Sequence, residues 1–485
     1  MYLGIDLGTS SVKSVLMDAD QHIIGSASAS LEVARPHENW SEQSAESWWK
    51  ATCDTLDNLS ANYKDAFAQV KGIGLSGQMH GATLLDASGD VLRPAILWND
   101  GRSAAQCEEL EANCPESREL AGNIAMPGFT APKLLWVKEH EPEIFSKVAK
   151  VLLPKDYLRY KLTGEYVSEM SDASGTLWLN VAKRDWSDAL LSATGLSRAQ
   201  MPSLVEGSEA SADLRQDLQQ HWGIRQRVVV AGGAGDNAAA ACGMGTVTAG
   251  QAFLSLGTSG VLFVCNDRFS PNTQSAVHAF CHAVPNTWHQ MGVILSATDS
   301  LQWLSGITGK TAAELTEGLG GVPQEPSSAT FLPYLGGERT PHNDANARGA
   351  FVGLTHSHDV NALTQSVLEG VAYAFKDSQL ALQAAGTDFE AAYAVGGGAR
   401  SETWLSIIAS VLGKPLLIPA GGELGAAFGA ARLGLCAAEN ADPQQICYVP
   451  DVERVIEPIA ALTTQYQHGY ERYKALYPAL KGVTS

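Results

Sequence analysis

Positive charge is scarce in this chain. Among 485 residues, Lys and Arg number 33 against 52 Asp and Glu, a formal net charge of -19 at pH 7. That excess repels a phosphodiester backbone and an anionic membrane surface, so neither nucleic acid nor membrane is an expected partner. No apolar stretch is long enough to span a bilayer. Tyr2-Leu3-Gly4-Ile5 run straight into strand-like sequence without a basic region followed by an apolar one, so no secretory signal is expected. The eight cysteines include no C-x-x-C pair. In a chain of this length they read as buried free thiols of a reducing compartment, and a cytoplasmic location is the expectation. Low-complexity sequence is missing as well.

What is present is ordinary for a globular protein: hydrophobic residues make up 45% and charged residues 18%. The length exceeds what one core fills, so at least two domains are expected. Leu3, Ile5 and Leu7 alternate along a strand that Gly8 to Ser11 break, Val12 to Met17 resume, and a third strand follows around Ile23-Ile24. Trp48 or Trp49, Cys53, Leu56 and Leu59 recur at helical spacing. Val70 to Leu75 read as a strand ending in Gly77, Ala95 to Trp98 as another, and Val228 to Ala231 as a buried parallel one. This alternation is α/β patterning. Around Ala252 the opening pattern begins again: Phe253-Leu254-Ser255-Leu256, a break at Gly257 to Gly260, then Val261 to Cys265. A recurrence halfway along suggests two domains of common origin, with a boundary in the Gly-rich stretch near residues 243 to 250. Later, Leu363, Val367, Val371 and Phe375 mark a long amphipathic helix that Gly386 ends.

The repeated Leu-Gly-Thr-Ser loops are the first candidates for chemistry. A tight strand-to-strand turn exposes backbone amides, and glycine lets a phosphate approach them. Gly8, Thr9 and Ser10 form one such loop, with Lys13 as a possible nearby cation, and Gly257 and Thr258 belong to the other. Asp6, just before the first loop, is placed to hold Mg²⁺ through water. Either loop alone is also an ordinary hairpin turn; the pair, one preceded by Asp, favours phosphate binding. Gly396-Gly397-Gly398 lies between a strand and a helix from Glu402 to Leu412, which suits a flat ring or a phosphate and equally a packing turn. Asp236 and Asn237 follow Gly232 to Gly235 at the carboxyl end of a buried strand, where α/β sheets bind ligands. Asp236 suits a base or orienting carboxylate beside an attacking hydroxyl, and suits a helix N-cap as well. Gly77-Gln78-Met79-His80-Gly81 and Trp98-Asn99-Asp100-Gly101-Arg102 collect amides, imidazole, carboxylate and guanidinium fit for a polyhydroxylated ligand, although a lone His80 there is commonly structural. Two motifs are set aside. Gly306 to Thr311 resembles a P-loop ending, but Leu304 stands where its first Gly belongs and Ser300 to Ser305 read as helix. His278, Cys281 and His282, like His356 and His358, lack a second ligand pair for zinc.

Taken together these residues resemble the FGGY family of carbohydrate kinases, over essentially the whole length. Asp6-Leu7-Gly8-Thr9-Ser10 and Leu256-Gly257-Thr258-Ser259 match the family's two phosphate motifs, with Ser11 where many members carry Gly. Gly128 to Trp136, and Gly349 to Leu354 continuing to Glu369, resemble its two signatures. Gly77 to Gly81 and Gly336 to Pro341 are similar to members acting on D-xylulose; a member acting on glycerol normally carries Arg-Glu at Met79-His80. The resemblance implies an α/β fold of two actin-like, ribonuclease-H-like domains with an interdomain cleft. Residues 1–243 would hold the sugar site, first loop and catalytic Asp, and residues 250–485 the ATP site. It implies phosphoryl transfer from ATP, with Mg²⁺ near Asp6 and Asp236, to the 5-hydroxyl of D-xylulose. Asp236 would act as base, and Asp6 would be important for activity through the metal. Met79, His80, Asp236 and Asn237 would contact sugar, and Gly257, Thr258, Gln302, Gly397 and Gly398 would lie along ATP. A homodimer is the assembly the resemblance suggests. The rival readings are a relative acting on another sugar or polyol, an actin-like ATPase without a sugar site, and an inactive sugar sensor.

Overall fold

The computed structural model describes residues 1–323, 325–421 and 425–484. Strands β1 (Tyr2–Leu7), β2 (Ser11–Met17) and β3 (Ile23–Ser30) form an antiparallel meander. Helix α1 (Ala45–Asn62) leads to β4 (Gly72–Gly77), which runs parallel to β1. A long excursion, including α2 (Pro154–Thr163) and α3 (Met170–Ser174), then departs from the sheet. The chain returns through β5 (Ala210–Asp213), β6 (Val229–Ala231), the short β7 (Ala234–Gly235) and α4 (Asp236–Met244). The sheet order is β5-β6-β4-β1-β2-β3, with β7 also paired to β4.

The second half repeats this plan. Strands β8 (Ala252–Leu256) and β9 (Gly260–Asn266) form its hairpin, joined by β10 (His278–Cys281) and β11 (Trp288–Ile294). Helices α5 (Thr298–Thr308) and α6 (Val360–Ala384) precede β12 (Ala392–Val395), followed by α7 (Glu402–Leu412), β13 (Leu416–Pro419), α8 (Ala426–Glu439) and β14 (Val452–Ile456). The order is β10-β11-β9-β8-β12-β13-β14. The run β11-β9-β8-β12-β13 matches β3-β2-β1-β4-β6 in order and direction, two antiparallel pairs followed by two parallel ones. Two ribonuclease-H-like sheets are thus built from one pattern. Gly386, with φ +79, stands just past Ala385, the cap residue of α6, in the left-handed conformation that ends a helix.

The alternation in β1 sorts its neighbours. Leu3, Ile5 and Leu7 share a core with Trp48, Leu56 and Leu59 of α1. The opposite face carries Gly4 and, on β4, Gly74, and a Cβ at either would stand 1.8 Å from a backbone oxygen of α8, that of Ala427 or Ala430. These glycines let a helix from the second half lie directly on the first sheet. Helices α4 and α8, each following the last parallel strand of its half, also cross closely: a Cβ on Gly429 would meet the Ala239 carbonyl at 1.8 Å. The halves meet again where Phe253, Phe263 and Phe280 of the second sheet pack with Phe129, Met170 and Trp178 of the excursion.

Two strand expectations need correction. Ala95 to Trp98 contribute only a two-residue strand, Ala95–Ile96, paired with Glu42–Gln43 outside both large sheets. Pro94 precedes it and the chain turns away at Leu97, so the apolar run is too short to join the main ladder. The strand expected from Val70 begins at Gly72 instead. All eight cysteines are free, seven of them buried and Cys53 partly so. Gly306 lies inside α5, so the P-loop-like string is not a phosphate loop. Among the described residues no helix is long and apolar enough to cross a membrane.

Candidate active site

The first loop closes with a hydrogen bond from the Gly8 amide to the Ser11 carbonyl (3.0 Å). Its Thr9 is held on three sides. Thr9 Oγ1 donates to Gln78 Oε1 (3.2 Å) and accepts from the Trp98 indole (2.9 Å), and the Thr9 carbonyl accepts from Gln43 Nε2 (2.7 Å). Gln43 Oε1 in turn accepts from Gln78 Nε2 and Trp48 Nε1, both at 2.9 Å. Gln43 has no motif around it, and only the fold reveals its part. Ser10 is exposed at the tip, and its carbonyl accepts from the Leu31 amide. Lys13 stands opposite Asp6 in the hairpin register.

Asp6 and Asp236 are enclosed by protein yet keep some surface open. Asp6 Oδ1 accepts from Ser76 Oγ at 2.8 Å. Burial raises the Asp6 carboxyl, while that bond and the Lys13 charge pull it back. Asp236 is the first residue of α4; the cap position is Gly235, so Asp236 is not the N-cap that its sequence also allowed. Its Oδ1 accepts from the Asn237 amide (2.7 Å) and from Asn237 Nδ2 (3.0 Å). Burial first, and then the negative charge of Asp6, push the Asp236 carboxyl up to about 6. The turn that delivers it is tight: at Gly233 (φ +73) a Cβ would meet the Leu75 carbonyl at 2.2 Å.

The Met79-His80 turn packs into the same place. A Cβ on Gly235 would touch the Met79 sulfur at 3.0 Å, so the thioether lies against the residue preceding Asp236. His80 has the left-handed φ of +70, and its Nδ1 lies 2.6 Å from the Gly175 carbonyl. A carbonyl only accepts, so Nδ1 carries the hydrogen. Burial and the Lys133 charge hold the imidazole down to about 3, so it is neutral and Nε2 is left as an acceptor. The strained turn is held by the first signature: Thr130 Oγ1 (3.1 Å) and Lys133 Nζ (2.8 Å) both donate to the His80 carbonyl, and Phe129 meets the imidazole edge-to-face at 4.6 Å.

Asp100 and Arg102 are not available to a ligand, contrary to the sequence reading. Their side chains are each 1% exposed and paired at 2.7 Å. Arg102 also binds Glu42 and lies 3.6 Å over the Trp40 ring. Both are spent on holding one another, and it is Trp98 of that segment that reaches the first loop, through Thr9. His278 and His282 are buried and engaged with Asn123 and the Thr246 carbonyl, which fits no zinc set.

The second loop is backed by α5, whose first amides cap it: Ala297 N–H donates to the Thr258 carbonyl (2.8 Å) and Thr298 N–H to that of Gly257 (2.9 Å). Beside it opens a cavity of about 720 Å³ lined by Thr258, Thr298, Gln302, Gly397, Gly398 and Arg400, among others. Four of the expected nucleotide residues therefore face one space. Gly396 (φ +95) and Gly398 are required there, since a Cβ on Gly398 would lie 2.5 Å from Leu256 Cγ. Another depression of about 650 Å³, lined by Glu46, Asp90 and Tyr160, contains none of the expected site residues.

Comparison with known proteins follows the same outline. The N-terminal domain model of the FGGY family of carbohydrate kinases matches residues 1–243, and the C-terminal domain model matches 252–438. The chain is 50% identical to the xylulose kinase of Escherichia coli K12 over 483 residues, 99% of each chain. It is 47% identical to that of Klebsiella pneumoniae over 487 residues, 100% of each. The crystal structure of a xyloylose kinase from Brucella ovis superposes with a TM-score of 0.98 at 57% identity, covering 99% of both chains.

Proposed function

This chain belongs to the FGGY family of carbohydrate kinases and is an ATP-dependent carbohydrate kinase, and we propose that it transfers the γ-phosphoryl group of ATP to the 5-hydroxyl of D-xylulose. Identity of 50% across 99% of both chains with the relative named xylulose kinase supports the sugar. So does Met79-His80 in the turn beside Asp236, where the neutral imidazole offers an acceptor to a hydroxyl.

Asp236 is the base in this reading, and the observation that carries it is local. It is a half-open carboxylate on the loop packed against Met79, raised by its surroundings to about 6, so it is largely ionised at neutral pH and near its range as a proton acceptor. Asn237 fixes one of its oxygens and leaves the other for the sugar hydroxyl. The transition state of such transfers is loose, and catalysis rests on positioning and charge. Thr258, Gln302, Gly397 and Gly398 would lie along the nucleotide, with Gly8, Thr9, Ser10 and Lys13 on the other side of its phosphates. The donor set suits Mg²⁺: two carboxylates whose mutual repulsion contributes to the Asp236 shift, both hard oxygen donors. Asp6 and Asp236 would hold the ion through water, and when bound it supplies neutralisation of phosphate charge. The two units of this enzyme are read as 1–243 with the sugar and 250–485 with ATP.

A coupled assay of ADP release tests the reading. Asp236→Ala should abolish nearly all D-xylulose-dependent turnover while ATP still binds; turnover close to that of the unaltered enzyme would sink the assignment of the base.

A further inference from the structure

Behind the Asp236 loop lies a set of charged side chains with no contact to solvent. Lys155, Asp156 and Arg159 of α2, with Glu169 and Asp172 at the start of α3, are all 0% exposed. Lys155 Nζ lies 2.7 Å from Asp156, 3.1 Å from Asp172 and 3.3 Å from Glu169. Taking five ionisable groups out of water is costly, and well-packed apolar residues of the same volume stabilise a fold at least as well. The geometry these groups impose is the informative part.

Each member reaches a different piece of the site. The Arg159 guanidinium forks onto two consecutive carbonyls, those of Ala231 and Gly232, where the chain leaves β6 for the Asp236 turn. Glu169 caps α3 by accepting from the amides of Ser171 (2.7 Å) and Asp172 (2.9 Å), and it also accepts from Ser171 Oγ (2.8 Å). That orients Ser171 Oγ so that its lone pair accepts from the Gly235 amide at 3.1 Å, one residue before Asp236. At the other end of α3, the Gly175 carbonyl receives His80 Nδ1–H. Ser174 Oγ accepts from the Cys281 amide (3.0 Å), on the edge strand of the second sheet. One helix of five residues is thereby bonded to the base loop, the sugar turn and the other half of the molecule.

We infer that Arg159, Glu169 and Ser171 are positioning residues, which set the base loop and the Met79-His80 turn in one fixed relation through α3. None of them is among the residues read as contacting sugar or nucleotide. The inference deepens the reading of Asp236 as base and rests on it.

The test compares Ser171→Ala, Ser171→Thr and Arg159→Lys in the full-length enzyme, with Asp236→Ala alongside. Ser171→Ala removes the acceptor of the Gly235 amide, and a lysine at 159 cannot span two carbonyls. Misplacement of a reacting group by about 1 Å costs about a hundredfold. The expected result is a fall in kcat of about tenfold for Ser171→Ala and about a hundredfold for Arg159→Lys, with KM for D-xylulose raised, KM for ATP unchanged and activity restored in Ser171→Thr. If Arg159→Lys does not fold, the two Ser171 variants decide. Unchanged kcat per folded molecule in Ser171→Ala, or a KM for ATP that rises as kcat falls, overturns the inference, because the network then acts on the fold as a whole. Asp236→Ala with near-normal turnover would defeat the base assignment instead, so the two failures are distinguishable.

Discussion

The hairpins at residues 7–12 and 256–260 begin with the same four letters and close differently. In the first, Leu7 pairs with Val12 and leaves four residues in the loop; in the second, Leu256 pairs with Gly260 and leaves three. Aligned on Leu-Gly-Thr-Ser, Asp6 corresponds to Ser255 and Lys13 to Leu262, so the charge pair exists in the first hairpin alone. The anchors differ too. Thr9 is tied to Gln78 and Trp98, on the sugar side, whereas Gly257 and Thr258 are tied to the start of α5, which lines the nucleotide cavity. The lesson is that the two halves share a backbone plan and divide the chemistry. On the proposed reading, the first half supplies carboxylates, sugar contacts and one phosphate loop, and the second supplies the surface on which the nucleotide docks.

The sharpest way to break this comparison is to remove the side chains at the aligned position. Asp6→Ala should lower kcat by about a thousandfold, the scale of losing a preorganised electrostatic group. Ser255→Ala should stay within about threefold, like most changes away from special features. Steady-state kinetics at saturating ATP check both, and equal losses would erase the asymmetry.

A second contrast uses the position facing away from α1. The first sheet has Gly4 there, beneath α8, while the aligned residue of the second is Phe253, packed with the excursion. Gly4→Ala places a Cβ 1.8 Å from the Ala427 carbonyl. It should destabilise the protein by about 3 kcal/mol, read as a lowered midpoint in denaturant. An unshifted midpoint would mean that α8 does not lie on the first sheet.

The second half also carries buried carboxyls that burial raises to about 8, Glu338 and Glu369. Their folded pKa lies above the ordinary carboxylate value. The native state therefore holds more protons than the unfolded chain between about pH 4.5 and 8, and stability falls as pH rises through that window. Glu369→Gln should remove about 2 kcal/mol of this pH dependence, measured as thermal midpoints at pH 5 and pH 8. Identical slopes in the variant and the unaltered protein would contradict it.

The smallest effects separate the two threonines. Thr9→Val loses a hydrogen bond worth about 1 kcal/mol and, since Thr9 is tied to Gln78 and belongs to a phosphate loop, should raise KM for both the sugar and ATP about fivefold. Thr258→Val should raise KM for ATP alone. A sugar KM that also rises in Thr258→Val would show that the loops do not divide the substrates.

Much of this was readable in the sequence because it is local. The paired loops, the buried strand before Asp236, the Gly77–Gly81 turn and the glycine ending α6 each carry their pattern within a few residues. What was not readable depends on distant partners. Gln43 meets Thr9 only after β4 brings Gln78 beside the first loop. Thr130 and Lys133 lie in a recognisable signature, yet their grip on the His80 carbonyl spans about fifty residues. The Arg159–Glu169–Ser171 set carries no motif. Asp100 and Arg102 misled because charged residues beside a turn look exposed until Glu42 and Trp40 are brought against them. Placement of α8 on the first sheet was equally hidden, since Gly4 and Gly74 mark a close approach without naming what approaches.

The central claim is that this two-lobed kinase acts on D-xylulose through Asp236. It is tested most directly by a coupled ADP-release assay with D-xylulose, its pentulose stereoisomers, gluconate and glycerol, run on the unaltered enzyme and on Asp236→Ala. The highest kcat/KM is expected for D-xylulose, with its near-complete loss in the variant. A higher kcat/KM for any other acceptor, or a variant that still turns over D-xylulose, would contradict it.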